Sequence, residues 1–328
     1  MMKKFAMTAL AAAALLGAGA AQAYTVGTFS NGVVVPNVWH NGIADTTAVG
    51  FINKSAPAMA GDSGLRSVYW TFFDQNSMHI TDGCFPMTMR DYEPFVWAAQ
   101  SGVGMAGKRG YLVFALANVA APLTAASVCK EAAPVIGAPG APYRLSANAF
   151  QVDTANHDVA FTPVIDGDLT LLPGANLTSL GPLSLESVAG AAQVDSVGFD
   201  FPVMNMRYYI DQAPGGNDSF IVVWSTGDQR GTHTVNIYDD KQNRKSVNFP
   251  LEFTELDWFN VESIAGLPSS FTDGYIEWNP SAILPADFPS GGLEPALYYG
   301  GSVYTYTWMI APAFGAVQTL LGAHHVLP

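Results

Sequence analysis

Apolar and polar residues alternate with a period of two along much of this chain. Val68-Tyr69-Trp70-Thr71-Phe72-Phe73 and Thr234-Val235-Asn236-Ile237-Tyr238 are β-branched and aromatic. Each runs into a polar cluster, Asp74-Gln75-Asn76-Ser77 in one case and Asp239-Asp240-Lys241-Gln242-Asn243 in the other. Side chains of the first kind suit a pleated, half-buried surface, and Asp, Asn and Ser supply turn chemistry, so each stretch reads as the start of a hairpin. Further strands are predicted at 47–53, 110–116, 148–152, 219–224, 274–278 and 302–309. Amphipathic helices do not alternate with these strands, which disfavours a parallel α/β sheet and favours an all-β chain of antiparallel, immunoglobulin-like β-sandwiches. Two short helices are expected within this frame. One covers 123–133, between Pro122 and Pro134. The other lies near the C-terminus, where Phe314, Val317, Leu320 and Leu321 share a helical face and Gly322 offers a stop.

The chain also repeats itself. Phe85-Pro86-Met87-Thr88-Met89-Arg90-Asp91-Tyr92-Glu93-Pro94-Phe95 aligns without a gap on Phe249-Pro250-Leu251-Glu252-Phe253-Thr254-Glu255-Leu256-Asp257-Trp258-Phe259. The register holds from there to Gly110-Tyr111 against Gly274-Tyr275. Upstream, Phe73-Asp74 faces Tyr238-Asp239 and Pro36 faces Pro202. A period of about 165 residues is too long for a solenoid unit and reads as a duplicated domain. The expected organisation is a first sandwich at 24–180 and a second at 181–328, with the junction near Gly181 in a stretch rich in Gly, Ser, Leu and Ala.

Composition bears on compartment and partners. The first 23 residues combine Lys3 and Lys4, an apolar run and Ala21-Gln22-Ala23, the pattern of a cleaved secretory signal peptide. The expected location is therefore extracytoplasmic: periplasm, cell surface or secreted. Without that segment, 12 basic residues stand against 27 acidic ones, a net charge of −15. This argues against nucleic acid and against anionic membrane surfaces, which need clustered Lys and Arg. No stretch has the length and apolarity of a membrane span. With 49% hydrophobic residues the chain has ample material for buried cores, so disorder is not expected. Cys84 and Cys129 are the only cysteines and suit a disulfide in an exported protein. Closing that loop stabilises by up to ~4 kcal/mol in the chain-entropy picture. Asn248 occupies the position matching Cys84, so the bridge would be private to the first half.

Candidate chemistry is sparse. Gly61-Asp62-Ser63-Gly64 resembles the nucleophile sequence of chymotrypsin-like proteases, but His40 is the one upstream histidine and lacks that family's surrounding sequence. The segment reads as a surface loop. His324-His325 are adjacent and lack metal-ligand spacing. Calcium is the one cofactor weighed, with Asp153 and Asp158, Asp166 and Asp168, and Asp239 and Asp240 as oxygen donors. None follows the regular calcium-loop spacing, and turn-capping aspartates explain them. Asp91/Glu255 and Glu93/Asp257 are acidic in both repeats and read as structural. No catalytic, cofactor-binding or metal residue is assigned.

Trp39 and Trp258 have polar neighbourhoods and are the candidates for exposed aromatic contacts with a ligand. The resulting expectation is an exported, non-enzymatic binding, adhesion or surface-assembly protein. Its partner would be another protein, a glycan or a second copy, with pairing of edge strands as one assembly mode. The alternative is an extracytoplasmic carbohydrate-active enzyme or carbohydrate-binding module, marked by a concave acidic cleft rimmed by Trp39 or Trp258.

Overall fold

In the computed structural model the described residues are 27–42, 45–95, 106–153, 158–181, 184–194, 202–280 and 301–326. The expected signal peptide at 1–23 and the Pro-rich segment at 281–300 lie outside them. Among the described residues all strand pairing is antiparallel, and the only helical turns are two three-residue 3-10 segments, Val261–Ser263 and Pro312–Phe314. Among the described residues no helix is long and apolar enough to cross a membrane.

The first half of the chain holds β1 (Gly32–His40), β2 (Asp45–Asn53), β3 (Arg66–Asp74), β4 (His79–Met87), β5 (Asp91–Phe95), β6 (Lys108–Leu116), β7 (Leu145–Asp153) and β8 (Asp158–Thr162). A short connecting hairpin of β9 (Leu169–Leu171) and β10 (Leu185–Val188) follows, then β11 (Ala192–Gln193). The second half holds β12 (Pro202–Tyr209), β13 (Asp218–Ser225), β14 (Gly231–Asp239), β15 (Arg244–Leu251), β16 (Leu256–Asn260), β17 (Asp273–Trp278), β18 (Ser302–Ala311), β19 (Ala316–Leu321) and β20 (Ala323–Val326).

Strand order recurs between the halves. β4-β3-β6-β1 form one leaf and β5-β2-β7-β8 another, with β1 and β2 meeting only where His40 pairs with Thr46. In the second half the matching leaves are β15-β14-β17-β12 and β16-β13-β18-β19, with β20 added beside β12 and β11 beside β18. The aligned sequence segments occupy matching places in this order. Pro94 pairs with Gly50 of β2, and Trp258 pairs with Val222 of β13.

Three apolar clusters separate four layers. The first lies between the two leaves of the first half and includes Val35, Phe51, Trp70, Phe114 and Leu145. The third lies between the leaves of the second half, with Met206, Ile221, Val223, Phe249 and Trp278. The middle cluster joins the halves: Tyr69, Phe73, Tyr111 and Val113 from β3 and β6 meet Val222, Trp224, Leu256, Tyr304 and Tyr306 from β13, β16 and β18. The connecting segment adds Leu169, Leu177, Leu180 and Leu185 to the same cluster. The β4-β3-β6-β1 leaf is therefore covered on both faces, which explains the unbroken burial of Val33, Val34 and Val35 in β1 and of β6 from Gly110 onward.

Gly110 and Gly274 share one constraint. A Cβ on Gly110 would lie 1.9 Å from the Phe73 carbonyl oxygen, and one on Gly274 would lie 1.8 Å from that of Tyr238. Only a glycine lets the neighbouring backbone pass there.

Both helix expectations are corrected. Residues 316–321 form β19, paired with β18 from Ala311–Ala316 to Tyr306–Leu321, after a left-handed turn at Gly315 (φ 58°). Residues 123–133 form turns. Cys129 and Ala133 hold positive φ of 59° and 49°, which a right-handed helix excludes, and Cys129 is fixed to Cys84 by a disulfide with a Cα–Cα distance of 5.7 Å. The bridge ties this strap to edge strand β4, and Ser67 Oγ accepts from Cys129 N at 2.9 Å beside it.

Candidate functional site

A cleft of about 720 Å³ lies where the two halves meet. Sheet register builds its first wall. Trp39 at the end of β1 pairs with Arg109 at the start of β6, while Asp45 and Thr47 of β2 pair with Asp153 and Gln151 of β7. The opposite wall is Trp258 of β16, Trp308 and Ile310 of β18, and the Pro312–Val317 turn into β19.

The polar groups are held in place by one another. Trp39 donates its indole N–H to Asp45 Oδ2 at 2.7 Å, and Gln151 Nε2 donates to Asp45 Oδ1 at 2.8 Å. Thr47 Oγ1 donates to Gln151 Oε1 at 2.6 Å. Arg109 donates through Nη1 to Asn37 Oδ1 at 3.0 Å, and Asn37 Nδ2 donates to the Tyr306 hydroxyl at 3.1 Å. The Arg109 guanidinium lies 3.8 Å from the Trp258 ring centroid and 5.3 Å from that of Trp39, which joins the halves by cation–π contact. Burial pushes its pKa down to about 10, against opposing contributions from Tyr306 and Asp45, so it stays charged at neutral pH.

Both tryptophans singled out in the sequence line this cleft, but they differ in role. Trp258 is stacked on Phe220 (centroids 4.6 Å, 20° between planes) and covered by Arg109 on the ring, so it acts as wall. Trp39 is half-buried at the strand end, with its edge fixed by Asp45. Sequence reasoning did not single out Arg109, Asp45, Gln151 or Trp308. Asp153 had been weighed only as a calcium donor, and no local motif signals any of these residues. Their proximity comes from sheet register and from the packing of the halves.

The remaining candidates lie elsewhere. Asp62 and Arg66 form a buried ion pair at 3.0 Å, and Asp62 also accepts from the N–H groups of Ala58 and Gly64, so Gly61-Asp62-Ser63-Gly64 is a pinned loop. His40 Nδ1 is 2.7 Å from Thr46 Oγ1. Asp166 accepts from Gly27 N at 2.6 Å and Thr28 N at 3.1 Å. Burial raises its pKa to about 6. Asp168 accepts from Asn31 N, and Asp239 caps its hairpin turn through Lys241 N and Asn243 N. Asp91 accepts from Thr88, and Asp257 from Glu252 N. His325 Nδ1 lies 3.4 Å from Asn205 Nδ2 on exposed β20. Among the described residues no three His, Cys, Asp or Glu side chains gather as a metal site.

The cleft therefore offers the half-buried Trp39 indole on one wall and a set of carboxylate, amide and guanidinium groups beside it. Such a surface suits a neutral ligand with both an apolar face and many hydroxyls. Comparison with known protein families, with curated proteins and with solved structures finds no match to this chain.

Proposed function

We propose that this chain is an exported, non-catalytic binding protein built as a tandem of two related immunoglobulin-like β-sandwich domains, and that it holds a short carbohydrate in the cleft between them. The observation that carries this reading is that Trp39 and Trp258, distant in sequence, meet in one cleft with Trp308, Asp45, Gln151 and Asp153. A pyranose presents C–H groups on one face and hydroxyls around its rim. The half-buried Trp39 indole takes the first, while the carboxylates and amide take the second. The volume lies within the ~300–1,000 Å³ usual for small-molecule sites. Export is supported by the leader pattern at 1–23 and by the Cys84–Cys129 bridge, which needs an oxidising compartment. The domain reading is supported by the recurring strand order and by the sequence repeat.

Pairing through edge strands has less support. Pro86, Pro94 and Pro250 sit in β4, β5 and β15, the outermost strands of three leaves, where the missing N–H interrupts pairing.

A glycan array followed by calorimetry tests the proposal. Trp39→Ala is expected to weaken binding by about tenfold or more, roughly 1.4 kcal/mol, and Asp153→Asn to weaken it less, the latter with an unchanged melting temperature. No binding to any glycan at millimolar concentration, or full affinity in Trp39→Ala, would overturn it.

A further inference from the structure

Two contacts hold β6 of the first half against β16 of the second. Arg109 and Tyr111 stand two residues apart on β6 and therefore share a face. Arg109 stacks on Trp258 of β16 at 3.8 Å, inside the cleft. Tyr111 donates its hydroxyl to Glu255 Oε2 at 2.5 Å, immediately before β16 begins at Leu256. The turn joining β3 to β4 fastens the same point. The Gln75 carbonyl accepts from Glu255 N and Leu256 N, and Gln75 Nε2 donates to the Leu256 carbonyl, all at 3.2 Å. One short strand thus carries a cleft wall and, at its first turn, a buried acid clamped to the other half.

Glu255 is 4% exposed, and its Oε1 is buried with no hydrogen-bond partner among the described residues. The groups around it favour the neutral acid. Ser77 and Tyr111 offer hydroxyls from the first half, and Asp74 at the end of β3 adds negative charge near Tyr111. From the second half, Asp228 in the connection between β13 and β14 acts on Glu255 as a like charge and holds Arg230 at 2.7 Å. Asp257, further along β16, caps Glu252 N and Phe253 N, and its own like-charged neighbours are Glu252 and Asp228. Arg230 is the one cation in this set, and it is bound to Asp228. A carboxylate formed at Glu255 would therefore be a buried charge with one bare oxygen. Such a group is relieved by admitting water, and water reaches it when the turn parts from β16. Burial accordingly moves the Glu255 titration up to about 8.

We infer that the proton on Glu255 gates the cleft. While the proton is held, β16 stays clamped to the first half and Trp258 stands against Arg109; when it is lost in alkaline solution, the clamp loosens and the cleft releases its ligand. The release of ligand rests on the carbohydrate reading of the cleft, whereas the loosening of the clamp does not. The coupling needs no long path. Trp258 follows Glu255 by three residues on one strand, and Arg109 precedes Tyr111 by two on the other. The clamped state binds the proton more tightly than the open one, because burial raises the Glu255 pKa from 4.5. Clamping is therefore complete below the open-state value and lost as pH rises through about 8. Apparent affinity falls with the clamped fraction.

Calorimetry with a glycan found on the array and amide hydrogen exchange of the ligand-free chain test this. Wild-type affinity is expected to be about tenfold weaker at about pH 9 than at about pH 6.5. Glu255→Gln is expected to bind equally at both. At the higher pH the amides of Glu255 and Leu256 are expected to exchange faster in the wild type than in Glu255→Gln, and at the lower pH alike. Comparing the two chains at one pH cancels the intrinsic pH dependence of exchange. Asp257→Asn is expected to leave the fall in affinity in place. If Glu255→Gln fails to fold, Tyr111→Phe takes its part: it removes a donor to the carboxylate and is expected to move the fall to higher pH. An affinity that does not change with pH, a fall that persists in Glu255→Gln or vanishes in Asp257→Asn, or equal exchange at the higher pH would overturn the inference. A chain that binds no glycan at any pH overturns the carbohydrate reading and the release of ligand with it, while the exchange comparison still decides whether the clamp opens.

Discussion

Glu255 lies beneath the turn that joins β3 to β4. Its backbone N–H and that of Leu256 donate to the Gln75 carbonyl at 3.2 Å, and its side chain accepts from the Tyr111 hydroxyl at 2.5 Å, with Ser77 Oγ 2.7 Å from the same hydroxyl. Burial raises its pKa from 4.5 to about 8, more than the hydrogen bonds from Tyr111 and Ser77 lower it. Asp257, also desolvated, is raised to about 7. A carboxyl raised in the folded state binds more protons there than in the unfolded chain. Its contribution is complete below the unfolded value and lost as pH rises through the folded one. Thermal stability attributable to these groups is thus expected to fall between about pH 4.5 and pH 8. Glu255→Gln keeps an acceptor for Tyr111 and removes the charge. It is expected to flatten that pH profile and to add on the order of 1–3 kcal/mol at pH 8, measured by melting across pH. The alignment pairs Asp91 with Glu255, yet Asp91 caps a partly exposed turn while Glu255 is buried between the halves. The acid was legible in the repeat. Its environment was not, because it depends on which copy lies inside the contact.

Strands were the most legible elements. Period-two runs such as Val68 to Phe73 and Thr234 to Tyr238 became β3 and β14, each paired with the strand after its polar turn. Failures came where a short apolar set fits two periods. Phe314, Val317, Leu320 and Leu321 satisfy a helical face, but four residues do not distinguish it from a strand, and β18 supplied hydrogen-bond partners that favour extension. The strap at 123–133 was decided by its covalent tie to β4 rather than by propensity. Replacing Cys84 and Cys129 together with Ala is expected to cost ~2–4 kcal/mol in denaturant unfolding. The loss would be independent of the cleft, and glycan affinity would be kept.

Across the whole molecule, the middle cluster makes the halves one packed body. Trp224 is fully buried there and meets Tyr111. Trp224→Ala is expected to cost ~3–5 kcal/mol and to split a single thermal transition into two, as read by calorimetry, because the contact between halves is removed while the first and third clusters remain. The all-β class, the strands and the repeat were determined by sequence alone, since alternation and self-similarity are local or linear properties of the chain. Which leaf faces which, the burial of Glu255, the gathering of Trp39, Trp258 and Asp153 and the exposure of Phe150 and Tyr275 were decided only in three dimensions. Matching repeat segments meet different neighbours once unlike leaves pack, and nothing in the linear order says which face will be covered.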